Sequence, residues 1–297
     1  MTAPSQPILR GELRFDESLK RYNSWRVGGA ARQLYLPADS DDLAVFLRTL
    51  PSDEPLLWLG LGSNLLIRDG GFRGTVIVLQ GRLNELQISG GEVKADAGVA
   101  CAKVARECAR AGLAGAAFLA GIPGTMGGAL AMNAGAFGGE TWSVVRTVAT
   151  IDRLGVIRRR EPSEYRIDYR EVIRPGEEWF LSCTLGLAPG DGDAEQLAIR
   201  RLLERRAATQ PTGQPSCGST FRNPPSDYAA RLIEASGLKG YRIGGAEVST
   251  KHANFIINTG DASAVDIEQL IVHVQAEVAR RQGVNLQAEV HTVGEPR

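Results

Sequence analysis

The segment from Gly112 to Gly139 limits how this chain can fold more than any other feature. It carries glycine at almost every third position, yet the residues between are apolar rather than the serines of a flexible linker. Glycine in an ordered segment costs about 0.5–1 kcal/mol relative to alanine, because it loses the most conformational freedom on folding. Such a high density of glycine therefore needs a physical reason. Close approach of the backbone to a flat or phosphorylated ligand is one; a glycine-rich packing loop is the other.

A shorter glycine turn, Gly60-Leu61-Gly62-Ser63-Asn64, directly follows the apolar run PLLWL. The run predicts a buried strand, and the turn after it could close backbone N–H groups on a phosphate. It is not a Rossmann fingerprint, because the third glycine would fall on Leu65, and it lacks the lysine of a Walker loop. Taken alone, a tight turn between strands explains it as well.

Composition excludes several classes of protein. The 297 residues contain 34 Lys plus Arg and 34 Asp plus Glu, so net charge indicates neither a nucleic acid nor an anionic membrane as partner. The apolar runs are shorter than the roughly 18 residues of a membrane span, and the charged N-terminus does not resemble a secretory signal. We therefore expect a cytoplasmic protein without membrane or nucleic-acid partners, with a monomer favoured.

The four cysteines predict neither disulfides nor a metal site, because none forms a CxxC pair or lies near the three histidines in sequence. They are Cys101, Cys108, Cys183 and Cys217.

Strand and helix patterns alternate along the chain, which predicts a mixed α and β protein. QLYLP (33–37) reads as a strand followed by Ser40 as a helix N-cap. Ser263 and Asp266 form a capping-box pattern ahead of an apolar helix face that ends at Gly283. The alternating run VNLQAEV (284–290) predicts a last strand. LAPGDGD (187–193) interrupts both periodicities, so we place a domain junction near it.

Several longer motifs, taken together, resemble one family. They are NSWRVGG (23–29), LGLGSNLLI (59–67), GIPGTMGGALAMNAGAFGGE (121–140), YR (169–170), GSTFRNP (218–224), LIEASGLKG (232–240) and STKHANFIIN (249–258). In this order they are similar to the UDP-N-acetylenolpyruvoylglucosamine reductases, in the shorter subclass of that family. The resemblance spans the chain from about residue 20 to the C-terminus.

The resemblance implies an α+β fold: an FAD-binding domain of the vanillyl-alcohol-oxidase/PCMH type with two subdomains, then a smaller α+β substrate-binding domain. We divide the chain into an N-terminal extension (1–21), an FAD-binding domain (22–190) and a C-terminal domain (191–297). The implied enzyme is an oxidoreductase of peptidoglycan precursor synthesis. With non-covalent FAD and NADPH as co-substrate, it reduces the enolpyruvyl group of a UDP-amino sugar.

The resemblance also implies three catalytic residues. Arg170 would hold the substrate carboxylate as charge develops, because guanidinium is a permanently charged, forked donor. Ser219 would donate the proton, which a weakly acidic hydroxyl does only if its neighbours stabilise the oxygen left behind. Glu289 would assist the arginine or the proton delivery. Without the resemblance, each residue has an ordinary structural explanation: Arg170 as part of a surface ion pair, Ser219 as a turn residue and Glu289 as a solvated side chain.

The remaining expected site residues contact ligands. For FAD they are Gly60, Gly62, Ser63, Asn64, Gly121, Pro123, Gly124, Thr125, Gly128, Asn133 and Gly135; for the substrate they are Tyr169, Arg222 and Asn223. Cys217 lies off the family pattern and is treated as a bystander. Lys251 and His252 read equally as ligands or as loop supports. Arg205 or Arg206 is a candidate to take the place of the lysine that binds the diphosphate in longer members of the family.

Two other classes of protein stay open at this point. One is an oxidase of the same fold, which often carries FAD covalently on histidine or cysteine; no histidine precedes His252. The other is a non-catalytic protein that binds a UDP-sugar or another nucleotide. Absence of flavin absorbance, even after incubation with FAD, would exclude both enzyme classes.

Overall fold

A computed structural model of the chain describes residues 8–297. Residues 1–7 of the predicted N-terminal extension lie outside the described residues. The rest of that extension contains a strand, Glu12–Ser18, and most of a 3-10 turn, Leu19–Tyr22.

The α-helices are α1 (Ser40–Thr49), α2 (Cys101–Arg110), α3 (Met126–Ala131), α4 (Gly192–Thr209), α5 (Ala229–Ala235) and α6 (Ala264–Gln282).

The strands are β1 (Glu12–Ser18), β2 (Ala30–Leu36), β3 (Leu56–Leu59), β4 (Leu65–Ile67), β5 (Phe72–Val78), β6 (Leu86–Ser89), β7 (Glu92–Asp96), β8 (Leu113–Ala114), β9 (Gly135–Ala136), β10 (Gly139–Glu140), β11 (Val145–Asp152), β12 (Ile157–Arg160), β13 (Arg166–Asp168), β14 (Glu171–Ile173), β15 (Glu178–Gly186), β16 (Ala188–Pro189), β17 (Arg242–Ile243), β18 (Ala246–Val248), β19 (Ile256–Asn258) and β20 (His291–Val293).

The chain forms two compact units, neither of them continuous in sequence. Unit 1 comprises the described part of Met1–Phe15 with Gln33–Gly60 and Gly74–Leu202. Unit 2 comprises Asp16–Arg32, Leu61–Arg73 and Leu203–Arg297. The expected division at 1–21, 22–190 and 191–297 stays a prediction.

Two larger sheets form most of the strand structure of unit 1. The first has the order β1-β2-β5-β3, with β3 parallel to β5, and most of its residues are in this unit. The second is a five-stranded sheet in the order β12-β11-β15-β7-β6, in which every pairing is antiparallel. Helix α1 supplies apolar side chains to one core cluster, and α2 and α3 supply the other.

In unit 2, a three-stranded sheet (β17-β18-β19) and the helices α5 and α6 share one apolar core. Strands β4 and β20 form a separate parallel pair. Trp25 is fully buried in this core, and its indole N–H donates to the Ile256 carbonyl at 2.8 Å. The N-terminal motif NSWRVGG is therefore part of the packing of unit 2.

Helix α6 has the termini that the sequence predicts. The Ser263 side chain accepts from the Asp266 N–H while the Asp266 carboxylate accepts from the Ser263 N–H, which completes a capping box. All of the predicted core positions are buried, and Gly283 ends the helix in the left-handed region at φ 69°. The predicted face comprises Ile267, Leu270, Ile271, Val274 and Val278.

Two local predictions were wrong. The run 284–290 is not a strand: Ala288 forms only an isolated bridge with Phe221, and the last strand is β20. Alternation alone does not supply the backbone partners that a strand needs. Helix α1 is capped by Asp39, whose side chain accepts from the Asp42 N–H, and Ser40 is its first helical residue.

None of the helices within residues 8–297 is both long and apolar enough to cross a membrane. In the same part of the chain, no group of three or more His, Cys, Asp or Glu side chains is placed to hold a metal ion.

The C-terminus of α6 provides a test of the backbone geometry. We expect Gly283→Ala to lower the free energy of unfolding by about 1–2 kcal/mol, because alanine, unlike glycine, is disfavoured in the left-handed conformation that this position adopts. An added Cβ would meet no atom within 4 Å at Gly283, nor at Gly176, whose φ is not positive. Gly176→Ala is the matched control, and equal urea midpoints for the two variants would contradict this account.

Candidate functional site

The glycine-rich segment of unit 1 is fixed by backbone hydrogen bonds to residues 97–101. The Cys101 N–H donates to the Gly124 carbonyl at 3.0 Å, and the N–H groups of Met126 and Gly127 donate to Val99 and Ala97, each at 2.9 Å. These N–H groups are thus bonded to protein. Phosphate contacts expected from this segment must come from other groups.

Thr125 lies within this fixed segment with an unsatisfied hydroxyl. The residue is 3% exposed, and its Oγ1 has no hydrogen-bond partner. It occupies the N-cap position of α3, where threonine usually bonds the first turn, but no such bond is present. A buried polar atom without a partner costs about 1–3 kcal/mol, which makes this hydroxyl a candidate contact for a bound ligand.

A cavity of about 100 Å³ lies beside Thr125 and within unit 1. Its lining includes Gly60, Gly127, Gly128, Trp58 and Arg174. Gly128 is exposed, and a Cβ added there would meet nothing within 4 Å. At this point the backbone borders open space, as close approach of a ligand requires.

Other glycines of the predicted site face protein atoms. A Cβ at Gly60 would lie 2.2 Å from Thr125 Oγ1, one at Gly121 would lie 2.5 Å from the Phe137 ring, and one at Gly135 would lie 2.4 Å from the Gly139 carbonyl oxygen. Close packing against protein atoms therefore explains the glycines at these three positions, as expected for a glycine-rich packing loop. Gly128 instead fits the expectation that the backbone approaches a ligand. Pro123 is exposed next to Gly124.

Arg170 is held against the same glycine-rich segment. Its guanidinium donates to the carbonyls of Asn133 at 3.2 Å and Gly135 at 2.9 Å, and it lies 4.9 Å from the centre of the exposed Tyr169 ring. Arg170 and Asn133 both have positive φ, 57° and 42°. Such strain persists where the surroundings over-determine a conformation, which is frequent at functional sites.

Asn133 organises this corner of unit 1. It is 1% exposed; its Nδ2 donates to Glu140 Oε2 at 3.0 Å and to the Asp168 carbonyl at 3.2 Å, and its Oδ1 accepts from the Trp142 N–H. These bonds join the glycine-rich segment to the β13–β14 hairpin that carries Arg170. The contacts identify Asn133 as a positioning residue for Arg170, and direct contact with FAD stays a prediction.

In unit 2, the segments that carry Ser219 and Glu289 lie side by side. The Glu289 N–H donates to the carbonyl of Thr220, the neighbour of Ser219, at 2.8 Å, and the Arg222 N–H donates to the Gln287 carbonyl at 2.9 Å. Asn64 joins the same group, since its Nδ2 donates to the Glu289 carbonyl at 3.1 Å. Three predicted site segments, distant in sequence, therefore meet in this unit.

Asn254 is a residue of this group that sequence reasoning missed. Its backbone carbonyl accepts from the Thr220 N–H at 2.8 Å, while its side chain accepts from the Phe221 N–H at 2.9 Å and donates to the Phe221 carbonyl at 2.8 Å. It is 3% exposed. Asn254 thus fixes the backbone next to Ser219. The only sequence signal is a polar residue at the start of the apolar run ANFII.

The remaining predicted residues of unit 2 have mixed surroundings. Asn223 is exposed, and its side-chain oxygen accepts from the N–H of Ala229, the first residue of α5, at 3.1 Å. Gly62 has φ 62°, and a Cβ there would lie 2.2 Å from the Tyr22 carbonyl oxygen, so packing and turn geometry account for it. Ser63 follows in the same turn. Lys251 donates through Nζ to the Ala207 carbonyl in the last turn of α4, which supports a structural role.

Cys217 is a buried thiol close to Ser219 in sequence. Its Sγ lies 3.3 Å from Ser24 Oγ and 3.4 Å from the Leu65 carbonyl oxygen. Burial raises the pKa of this thiol to about 12, so it stays protonated at neutral pH. These surroundings support the view that it is a bystander.

The predicted catalytic residues belong to different units: Arg170 to unit 1, Ser219 and Glu289 to unit 2. The structure brings the backbone segments of the latter two together. That all three act on one substrate stays a prediction.

Comparison with known proteins supplies a family context. The family model described as UDP-N-acetylenolpyruvoylglucosamine reductase, C-terminal domain, matches residues 210–293, and one described as FAD binding domain matches residues 31–160. The chain is 62% identical over 295 residues to the UDP-N-acetylenolpyruvoylglucosamine reductase of Alkalilimnicola ehrlichii, covering 99% of each chain.

Solved structures show the same likeness. The chain matches the crystal structure of UDP-N-acetylenolpyruvylglucosamine reductase from Thermus caldophilus with a TM-score of 0.82 and 32% identity, over 96% of this chain and 99% of that one. It matches 6-hydroxy-D-nicotine oxidase from Arthrobacter nicotinovorans with a TM-score of 0.57 and 13% identity, over 96% and 89% of the chains, which shows the fold alone. The predicted fold class is confirmed.

The matched FAD-binding domain confirms FAD as the cofactor, and the cavity of unit 1 has features that fit it. Gly128 presents backbone to open space, and Thr125 presents an unsatisfied hydroxyl. A large, partly flat ligand with many hydrogen-bond acceptors, such as FAD, satisfies both. Thr125 and Gly128 are the residues that we expect to contact it.

Thr125→Val tests this assignment. We expect apoprotein stability to rise by about 1 kcal/mol, because the change removes a buried, unpaired hydroxyl, and FAD affinity to fall about 3- to 10-fold through one lost hydrogen bond. Urea unfolding and flavin fluorescence titration measure the two effects. Thr150→Val is the matched control: Thr150 Oγ1 is also buried without a partner, but Thr150 does not line the cavity. FAD affinity reduced equally in both variants would contradict the assignment.

Proposed function

The chain belongs to the UDP-N-acetylenolpyruvoylglucosamine reductase family, and we propose that it uses NADPH to reduce the enolpyruvyl group of UDP-N-acetylenolpyruvoylglucosamine, forming UDP-N-acetylmuramate. It is an FAD-dependent oxidoreductase. The product is a precursor of peptidoglycan. We propose that the enzyme works in the cytoplasm as a monomer and takes this UDP-amino sugar as its small-molecule substrate.

FAD is bound without a covalent link in this proposal and supplies the hydride that originates from NADPH. All four cysteines are buried, and no histidine precedes residue 252, so the glycine-rich half of the chain offers no exposed residue of the types that usually carry a covalent flavin. Thr125 and Gly128 hold the cofactor, as the unsatisfied hydroxyl and the open glycine surface support.

Arg170 binds the substrate carboxylate. Hydride addition to the methylene carbon of the enolpyruvyl group sends an electron pair toward the carboxylate, so negative charge accumulates there. The guanidinium stays charged at any working pH, and its planar fork matches two carboxylate oxygens. Its bonds to the Asn133 and Gly135 carbonyls support this role, because they fix the arginine before substrate arrives.

Ser219 donates a proton to the carbon that bears the ether oxygen, which completes the reduction. Glu289 supports this step, either by bonding the developing enediolate when protonated or by assisting proton delivery. The single observation that carries the proposal is the bond from the Glu289 N–H to the Thr220 carbonyl, since it holds the two segments side by side in unit 2. Tyr169, Arg222 and Asn223 are the proposed contacts of the UDP-sugar.

The proposed reaction separates into two observable half-reactions. Anaerobic addition of NADPH to the purified protein should bleach the yellow colour of the oxidised flavin. Addition of UDP-N-acetylenolpyruvoylglucosamine should then restore the colour. Bleaching without recovery would exclude this substrate, and NADH bleaching faster than NADPH would overturn the cofactor preference.

Ser219→Ala tests the proton donor. We expect the NADPH half-reaction to be unchanged and flavin reoxidation by substrate to slow by at least about 100-fold, the usual size of a general-acid contribution. Stopped-flow absorbance measures both phases. Ser163→Ala is the control, because Ser163 is exposed and belongs to unit 1. Fast reoxidation in Ser219→Ala would remove the role assigned to Ser219.

A further inference from the structure

A short antiparallel pairing in unit 2 joins the segment that carries Arg222 to the segment that carries Glu289. Phe221 and Ala288 form a bridge, and the Arg222 N–H donates to the Gln287 carbonyl at 2.9 Å. Side chains alternate between the two faces of extended segments, and directly opposed residues share a face. Arg222, Gln287 and Glu289 therefore lie on one face of the pairing, and Phe221 and Ala288 lie on the other.

Arg222 and Glu289 are diagonal neighbours on this face, because Gln287 is directly opposite Arg222 and Glu289 follows two residues later. Diagonal neighbours in an antiparallel pair are about 7–8 Å apart, a separation that long side chains can bridge. Both residues are half-buried. An ion pair between them would therefore be screened less by solvent and salt than one on an open surface.

The charge of Arg222 acts on the part of the second segment that lies beyond Glu289. Desolvation lowers the pKa of His291, and the positive charge of Arg222 lowers it further. His291 is the first residue of β20, two positions after Glu289. The guanidinium thus extends from its position opposite Gln287 in the direction of Glu289.

An acid close to Arg222 on its own segment already has a different partner. Asp227 Oδ1 accepts from Arg231 Nε at 2.7 Å, and the two side chains form an ion pair. This pairing favours Glu289, on the facing segment, as the carboxylate that Arg222 serves.

We propose that Arg222, besides contacting the UDP-sugar, holds the Glu289 carboxylate in its ionised form and in a fixed orientation for the reaction. The proposal rests on the role assigned to Glu289 in the proposed function. Arg222 is then a positioning residue, because it acts on the reaction through Glu289. A guanidinium has five N–H donors in a planar fork, so two can bind the carboxylate while others remain for the substrate.

The positive charge has a physical reason, since the substrate is itself anionic. It carries a diphosphate and a carboxylate, and negative charge accumulates on the carboxylate after hydride addition. An ionised Glu289 alone would repel these groups, and the charge of Arg222 offsets that repulsion. An ionised carboxylate cannot donate a hydrogen bond to the enediolate. Of the two roles proposed for Glu289, assistance to proton delivery is therefore the one that fits.

A double-mutant cycle on flavin reoxidation tests the proposal in the FAD-bound protein. At saturating substrate, we expect Arg222→Met and Glu289→Gln each to slow reoxidation by about 10- to 100-fold, as a misplaced reacting group does. The double variant should be no slower than the slower single variant, because both changes remove the same interaction. Arg222→Lys keeps the charge, so its rate should lie between those of wild type and Arg222→Met.

Stopped-flow absorbance measures these rates, and the bleaching by NADPH should be the same in every variant. Two results would overturn the proposal. One is a double variant whose loss equals the product of the two single losses. The other is Arg222→Met with a raised Kd for the substrate but an unchanged rate at saturation, since Arg222 would then only contact the UDP-sugar.

Arg242→Met is the matched control. Arg242 is directly opposite Glu247 across β17 and β18, forms an ion pair with it, and belongs to the same unit as Arg222. We expect this variant to reoxidise its flavin at the wild-type rate. A loss equal to that of Arg222→Met would mean that removal of any cross-strand arginine in unit 2 slows the reaction, which would overturn the proposal.

Urea unfolding measures the same pair without any substrate. We expect the midpoint of the double variant to shift by less than the sum of the two single shifts, because each single change already breaks the pair. Additive shifts would overturn the proposal. This readout stands even if the substrate fails to reoxidise the flavin, which would exclude the proposed function. If wild type is reoxidised and Glu289→Gln is equally fast, the role of Glu289 fails, and the inference fails with it.

Discussion

Three backbone hydrogen bonds hold the Gly124–Gly127 segment against residues 97–101, and the candidate cofactor site depends on them. They use the N–H groups of Met126 and Gly127 for the fold and leave the Thr125 hydroxyl and the Gly128 backbone at a cavity. Burying an unpaired hydroxyl costs stability, so the free chain is less stable than its packing allows. In the proposed complex FAD bonds this hydroxyl and recovers that cost, which would couple cofactor affinity to the stability of unit 1.

Buried asparagines position the proposed catalytic residues in both units. Asn133 ties the glycine-rich segment to the hairpin that carries Arg170, and Asn254 bonds three backbone groups of Thr220 and Phe221 next to Ser219. An asparagine side chain offers a donor and an acceptor together, so it can satisfy irregular backbone that no strand pairs. This explains how loops without regular structure hold side chains in fixed positions.

The sequence predicts elements whose determinants are local. The capping box and apolar face of α6 contain all that the helix needs, and long motifs identify the family and its cofactor. The sequence does not predict features that arise from contacts between residues far apart in the chain. The run 284–290 alternates like a strand but lacks continuous backbone partners, and Asn254 matters only because Phe221 lies against it. Glycines look alike in sequence, yet Gly121 faces the Phe137 ring and Gly128 faces open space.

A crystal structure of the FAD-bound protein tests the central claim most directly. The account predicts FAD atoms within hydrogen-bond distance of Thr125 Oγ1 and in van der Waals contact with Gly128. FAD bound elsewhere, with Thr125 Oγ1 bonded only to water or protein, would contradict it.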